Sequence, residues 1–240
     1  MTTYENMPYL LSEEAETARK SKEDFIEKLV LVESISELFL YTCNVMDNKV
    51  KSLSWSKDAA YRISFKIFRI LRCSLKAALE SYYDVSMALL RIAYENHLLM
   101  KYLSENEKDA ELWFKGKRFS PKFLRENVSY SSHSIYQKLS EFIHCSFKSS
   151  MSFTVVEEGQ AKAIIGEYDK EQCDTALLFI LMTLETTMIW LSITLAQELM
   201  DNKKWHSEFK ATVPKIWKYI GQIPRKCQFS QRFRLYIRGL

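Results

Sequence analysis

An apolar run over residues 176–196, ALLFILMTLETTMIWLSITLA, constrains the fold of this chain more than any other feature. Its 21 residues are long enough to cross a bilayer as one helix. The run also contains Glu185 near its centre, and a lone carboxylate in the middle of a membrane span costs at least ~2.5 kcal/mol. We therefore predict no transmembrane span, and a central helix that is buried on most sides in a soluble bundle.

Composition and apolar spacing both favour helices. The chain has only 5 Gly and 4 Pro among 240 residues, which argues against sandwiches, barrels and Gly-rich phosphate-binding folds. Apolar residues recur three and four positions apart, the pattern of amphipathic helices, in residues 22–46, 56–79, 84–103, 107–114, 120–127, 132–144 and 169–200. We predict an all-α fold, a single bundle of about six or seven helices. The spacing changes near residues 151–165, where we predict a small β-hairpin or an irregular crossing loop.

Local signals predict two helix starts and one helix pair. Ser120 is a capping residue followed by Pro121 at the first helical position, and Asp169 precedes the long apolar run. The link between the helical patterns 56–79 and 84–103 is short, so we expect these two helices to form an antiparallel hairpin.

Charge divides the chain unevenly. Residues 203–240 hold ten Lys/Arg and one acid, whereas residues 1–202 hold 24 Lys/Arg and 29 Asp/Glu. We predict a helical bundle domain over 1–202 and a basic, aromatic-rich C-terminal appendage over 203–240, packed on the bundle or extending from it.

The composition of this appendage is typical of nucleic-acid binders, because cations neutralise phosphates and aromatic rings stack on bases. The predicted nucleic-acid-binding residues are Lys215, Lys218, Arg225, Lys226, Arg232, Arg234 and Arg238. The alternative partners of the appendage are an anionic membrane, another protein and the acidic body of the chain itself.

The cysteines and the N-terminus indicate the compartment. Five cysteines occur without a CxxC pair, and the N-terminal residues carry no apolar stretch of the signal-peptide type. The one Glu-x-x-His spacing, Glu141 to His144, has no second copy, as a di-iron bundle would need. We predict a cytoplasmic protein without a metal or a cofactor.

One helical segment carries polar residues in an otherwise apolar stretch. Arg91 and Glu95 are four residues apart and can pair on one helix face. The Arg91-x5-His97 spacing resembles the motif of HEPN ribonucleases, all-helical proteins of prokaryotic defence and toxin–antitoxin systems. That resemblance implies RNA cleavage without a metal, in which the arginine holds a phosphate and the histidine transfers a proton. On an ideal helix the two side chains point some 120° apart. They therefore share a site only on a distorted helix, or where a second copy of the chain completes it in a homodimer.

A second set of motifs resembles another group of helical proteins. The order is Leu90-Arg91-x3-Glu95, Tyr102-Leu103, Trp113-x2-Gly116, Phe119-x-Pro121-x3-Arg125 and Leu139-Ser140-x3-His144. It resembles uncharacterised prokaryotic proteins around the domain of unknown function DUF5677, over about residues 60–150. The resemblance implies that Arg91 and Glu95 lie close to Ser140 and His144.

The candidate catalytic residues are therefore Arg91, Glu95, His97, Ser140 and His144. The functional hypothesis is a nucleic-acid-directed protein, RNA-binding or a metal-independent ribonuclease, of a prokaryotic defence or toxin–antitoxin system. The alternative is a non-enzymatic helical interaction or scaffold protein, in which the polar residues form a buried network that specifies packing.

Overall fold

The computed structural model describes residues 6–47, 49–128, 133–141, 154–157, 160–163 and 168–222. These residues form an all-α fold with ten α-helices. The helices are α1 Asn6–Asp24, α2 Ile26–Met46, α3 Trp55–Leu79, α4 Tyr83–Glu105, α5 Glu107–Phe114, α6 Pro121–Asn127, α7 His133–Glu141, α8 Lys170–Thr194, α9 Ala196–Leu199 and α10 Lys203–Gln222. The predicted six or seven helices are too few, because a separate helix precedes Phe25, the predicted helix 169–200 breaks at Leu195, and residues 203–222 form a further helix.

Short polar residues begin several helices, as the sequence indicates. The Ser120 hydroxyl accepts the N–H of Phe123 at 3.2 Å, with Pro121 at the first helical position of α6. The Asp169 carboxylate accepts the N–H groups of Glu171 and Gln172 at 2.9 and 3.0 Å. Both predicted caps are confirmed.

Helices α3 and α4 form the expected hairpin at the centre of the fold. Their facing surfaces meet at Ser74 and Ser86, whose hydroxyl oxygens lie 2.8 Å apart in the core. Ser81, in the link, has a φ of 68°, and the N–H of Tyr82 returns to the carbonyl of Ala77 at 2.8 Å. The chain therefore turns through one left-handed residue that is not glycine.

The apolar run lies in α8, which packs against α2, α3 and α4. Leu177, Ile180 and Leu181 are fully buried there. Both α2 and α8 are long and apolar enough to cross a membrane, and 44% and 83% of their apolar windows are buried in the bundle. The burial of α8 is that of a core helix.

Residues 203–222 form one continuous helix with Pro214 inside it, and this helix, α10, packs along α2. Trp205, Val213 and Ile216 belong to the same hydrophobic core as the other helices. The Trp205 indole donates a hydrogen bond of 2.8 Å to the buried hydroxyl of Thr42. The first half of the predicted appendage is thus packed on the bundle.

Two short strands, β1 Thr154–Glu157 and β2 Gln160–Ala163, form an antiparallel pair with Thr154 opposite Ala163. They lie within the segment 151–165. The rest of that segment lies outside the described residues.

Candidate functional site

Arg91 and Glu95 form the predicted ion pair on α4. Arg91 Nε lies 3.2 Å from Glu95 Oε1, with the two side chains 17% and 23% exposed. The Nη2 atom of Arg91 donates a second hydrogen bond, of 2.6 Å, to the hydroxyl of Tyr136 on α7. This bond joins α4 to α7.

Tyr136 contacts two guanidinium groups. The guanidinium carbon of Arg91 lies 4.7 Å from the centroid of the Tyr136 ring, and that of Arg125 on α6 lies 3.8 Å from it. Contacts between a guanidinium and an aromatic face are favourable because the ring carries a negative face. We name Arg91, Glu95, Arg125 and Tyr136 the Arg91–Tyr136 cluster; it ties together α4, α6 and α7.

Ser140 is buried on α7, but its hydroxyl donates to the carbonyl of Tyr136 in its own helix at 2.5 Å. The expected approach of α4 to α7 is present, and Tyr136 is the residue that makes the contact. It lies four positions before Ser140 on the same helix face, a spacing visible in the sequence but overlooked. His144 lies outside the described residues.

The structure does not bring His97 to Arg91. His97 is 4% exposed, and its Nδ1 atom lies 3.5 Å from the hydroxyl of Thr187 on α8. Burial and, to a smaller extent, the nearby charge of Lys101 lower the pKa of His97 to about 3. His97 therefore faces α8 as a neutral imidazole, whereas Arg91 faces α7, as the geometry of a regular helix requires.

Among the described residues, no group of three or more His, Cys, Asp and Glu could hold a metal ion. The thiols of Cys43 and Cys173 are buried, and that of Cys73 is exposed.

An extended basic surface lies on α3. Residues 59–79 contain five Lys/Arg and no acid. The cations are Arg62, Lys66, Arg69, Arg72 and Lys76, all exposed. Spacings of three and four residues place them along one side of the helix, over roughly 21 Å. We name these five residues the α3 stripe. The acidic balance of residues 1–202 as a whole conceals the α3 stripe, although the acid-free run is visible in the sequence.

Few carboxylates neutralise the α3 stripe. Arg62 pairs with Asp58 at 2.8 Å, and Lys76 lies 4.0 Å from Glu80. Lys66, Arg69 and Arg72 form no ion pair in the described part of the chain. Their positive charge is thus open to solvent.

Basic residues of other elements extend both ends of the α3 stripe. Lys22 of α1 joins Arg72 and Lys76 around a groove of about 400 Å³ that Cys73 also lines. At the other end, the guanidinium carbon of Arg62 lies 5.7 Å from the centroid of the Phe114 ring. The loop after Phe114 carries three exposed cations, Lys115, Lys117 and Arg118. Lys115 pairs with Glu111 at 2.5 Å and Lys117 with Asp109 at 2.6 Å.

Only two of the predicted nucleic-acid-binding residues fall in the described part of the chain. Lys215 and Lys218 lie on α10 and line a shallow groove of about 450 Å³ with Ile26, Val30 and Tyr219. Arg225, Lys226, Arg232, Arg234 and Arg238 lie outside the described residues.

Comparison of the chain with protein-family models, with curated proteins and with solved structures finds no match. The resemblances to HEPN ribonucleases and to DUF5677 proteins stay predictions.

Proposed function

We propose that this protein binds nucleic acid, with RNA as the first candidate, through contacts to the phosphate backbone. The observation that carries the proposal is the α3 stripe: five exposed cations on one helix, three of them without a carboxylate partner in the described part of the chain. A protein that neutralises phosphates with Lys and Arg releases condensed counterions, which favours binding and makes it salt-dependent.

An anionic membrane fits the α3 stripe less well. Helices that lie on membranes bury apolar side chains beside their basic face. Between residues 59 and 79, α3 exposes no large apolar side chain. Its apolar residues, including Ile63, Ile67 and Leu71, are buried on the opposite side.

Binding is better supported than cleavage. A metal-free ribonuclease needs a proton-transferring group beside the phosphate-holding arginine. His97 is buried against α8 with a pKa of about 3, and Arg91 is engaged by Glu95 and Tyr136. In this proposal the Arg91–Tyr136 cluster holds α4, α6 and α7 together and has no catalytic role.

The test is fluorescence anisotropy of labelled RNA with the full chain at ~0.05 to ~0.2 M salt, in EDTA. Lys66→Gln, Arg69→Gln and Arg72→Gln are combined in one variant. A matched control combines Lys51→Gln, Lys122→Gln and Lys210→Gln, which remove the same charge from exposed positions off the α3 stripe.

We expect the α3 variant to lose at least about tenfold in affinity, a difference of about 1.4 kcal/mol, and the control to lose much less. Equal losses in the two variants would overturn the assignment to the α3 stripe. Cleavage of the RNA in EDTA would instead favour the metal-independent ribonuclease hypothesis over binding alone.

A further inference from the structure

We infer that the partner of the α3 stripe is a double-stranded nucleic acid, held by its phosphates without reading of the bases. This inference rests on the proposed function and names the class of ligand. Three features of α3 carry it: its fixed shape, the direction of its aromatic rings, and the residue types on its exposed side.

The first feature is that α3 presents its cations in a preformed row. The helix is 25 residues long, and ten of its side chains are buried, which hold its opposite face in the core. The cations therefore keep their spacing before any ligand arrives. A duplex is likewise stiff, with a persistence length of about 50 nm, so the two surfaces can meet without ordering either partner.

The second feature is that three aromatic rings of α3, those of Tyr61, Phe65 and Phe68, pack against the core rather than over the α3 stripe. Phe68 stacks on Phe39 of α2 with 4.6 Å between ring centroids, and Phe65 meets the same ring edge-on at 5.5 Å. Tyr61 is buried and packs against Phe65 at 5.0 Å. Single-strand binders combine a basic groove with aromatic rings on which bases stack. From Lys66 to Lys76 the α3 stripe has no such ring beside it among the described residues. At its other end the Phe114 ring lies 5.7 Å from the Arg62 guanidinium carbon and packs against Trp55.

The third feature is the chemistry of the exposed side. Between Arg62 and Lys76 the exposed residues are cations and Cys73, with no exposed Asn or Gln to bond adenine and no exposed Asp or Glu to bond cytosine. Arginine and lysine can bond guanine, so equal binding of duplexes of unrelated sequence is the test that the bases are not read. Contacts to phosphate position a protein on a duplex but carry no sequence information. Duplex RNA and duplex DNA share this backbone chemistry, so the experiment includes both.

The experiment measures affinity of the full chain for oligonucleotides of about 20 nucleotides as duplex RNA, duplex DNA and each separate strand, against salt. Vesicles of phosphatidylcholine with phosphatidylserine form a further arm. We expect a duplex to bind roughly tenfold more tightly than either of its strands, and two duplexes of unrelated sequence to bind alike. The salt slope of log K for duplex DNA should fall in magnitude by about 0.9 for each lost phosphate contact when Lys66, Arg69 and Arg72 are changed to Gln.

Cys73 supplies a direct readout at the α3 stripe. Its exposed thiol lies beside Arg72 and Lys76, so a bound duplex should slow its alkylation by a maleimide, measured on the Cys73 peptide by mass spectrometry. The matched control is the same reaction in the Lys66/Arg69/Arg72 variant, in which protection should be lost.

The outcomes separate this inference from the proposed function. Tighter binding of single strands, with Cys73 protected and binding weakened in the α3 variant, would overturn the duplex inference and leave the proposed function standing. Binding of nucleic acid without any effect of the α3 variant would overturn both assignments to this surface. Binding to anionic vesicles alone would replace nucleic acid with lipid and overturn both proposals.

Discussion

The Nη2 atom of Arg91 on α4 donates a hydrogen bond of 2.6 Å to the hydroxyl oxygen of Tyr136 on α7. The same guanidinium bonds Glu95 through its Nε atom at 3.2 Å. Replacing Arg91 therefore removes a cation that two other groups share.

We expect Arg91→Ala to lower the free energy of unfolding by about 1–3 kcal/mol, because the Glu95 carboxylate and the Tyr136 hydroxyl lose their partner. Urea denaturation followed by circular dichroism measures the change. Arg91→Met combined with Glu95→Leu removes both charges and should recover much of the loss. A double variant as unstable as Arg91→Ala would argue against a packing role for the pair.

Glu185 should make the protein less stable as the pH rises. The side chain is fully buried in α8, and neither carboxylate oxygen accepts a hydrogen bond of normal geometry from a described residue. Burial raises the pKa of Glu185 from 4.5 to about 8, with the Trp217 indole acting in the opposite direction. Between these two values the unfolded chain releases a proton that the folded chain retains, so stability falls through this window and levels off above it.

Glu185→Gln removes this dependence. We expect the variant to match the parent near pH 4.5 and to exceed it by up to about 3 kcal/mol near pH 7, measured by urea denaturation over that range. A difference that stays constant with pH would mean that Glu185 is charged in the folded protein.

Glycine in place of Ser81 should stabilise the folded protein. Its φ of 68° costs a residue with a Cβ atom roughly 1 kcal/mol, and glycine avoids that cost. We expect Ser81→Gly to raise the free energy of unfolding by up to about 1 kcal/mol and the Tm by about 2–4 °C. Ser34→Gly, within α2, is the matched control and should lower stability by about 0.5 kcal/mol. A lower Tm for Ser81→Gly would show that the Ser81 hydroxyl, which donates to the carbonyl of Glu80 at 2.5 Å, outweighs the backbone cost.

Deletion of residues 225–240 separates the α3 stripe from the basic appendage as the main anion-binding surface. If the α3 stripe dominates, the shortened chain should keep most of its duplex affinity and should lose it when Lys66, Arg69 and Arg72 are changed to Gln. Anisotropy titrations at matched salt measure both effects. Loss of nearly all binding on deletion alone would place the anion site in the appendage.

The sequence was sufficient for features that depend on local chemistry. Ser120 and Asp169 cap their helices because a short oxygen-bearing side chain precedes a helical pattern in each case. The Arg91–Glu95 pair follows from a spacing of four residues, and the separation of Arg91 from His97 follows from a spacing of six. These relationships are set within one helix.

Features that depend on contacts between helices were harder to predict from the sequence. Nothing in the sequence singles out Tyr136 of α7, and only the approach of α4 and α6 gives its ring two guanidinium partners. Proline is unfavourable inside a helix, yet α10 continues through Pro214, with Val213 and Ile216 packed in the core. In both cases tertiary packing decides what local preference leaves open.

The contact between Trp205 and Thr42 has a consequence for synthesis on the ribosome. Thr42 lies 163 residues before its partner, and α10 covers α2 only once both have emerged. At ribosomal rates of 5–20 residues per second, the α2 face that packs against α10 stays uncovered for roughly 8–33 s. During that interval the face of α2 that α10 later covers is the kind of surface that chaperones bind and that drives aggregation of nascent chains. Closure of the bundle is thus a late event in translation, and its timing is fixed by the position of α10 in the chain.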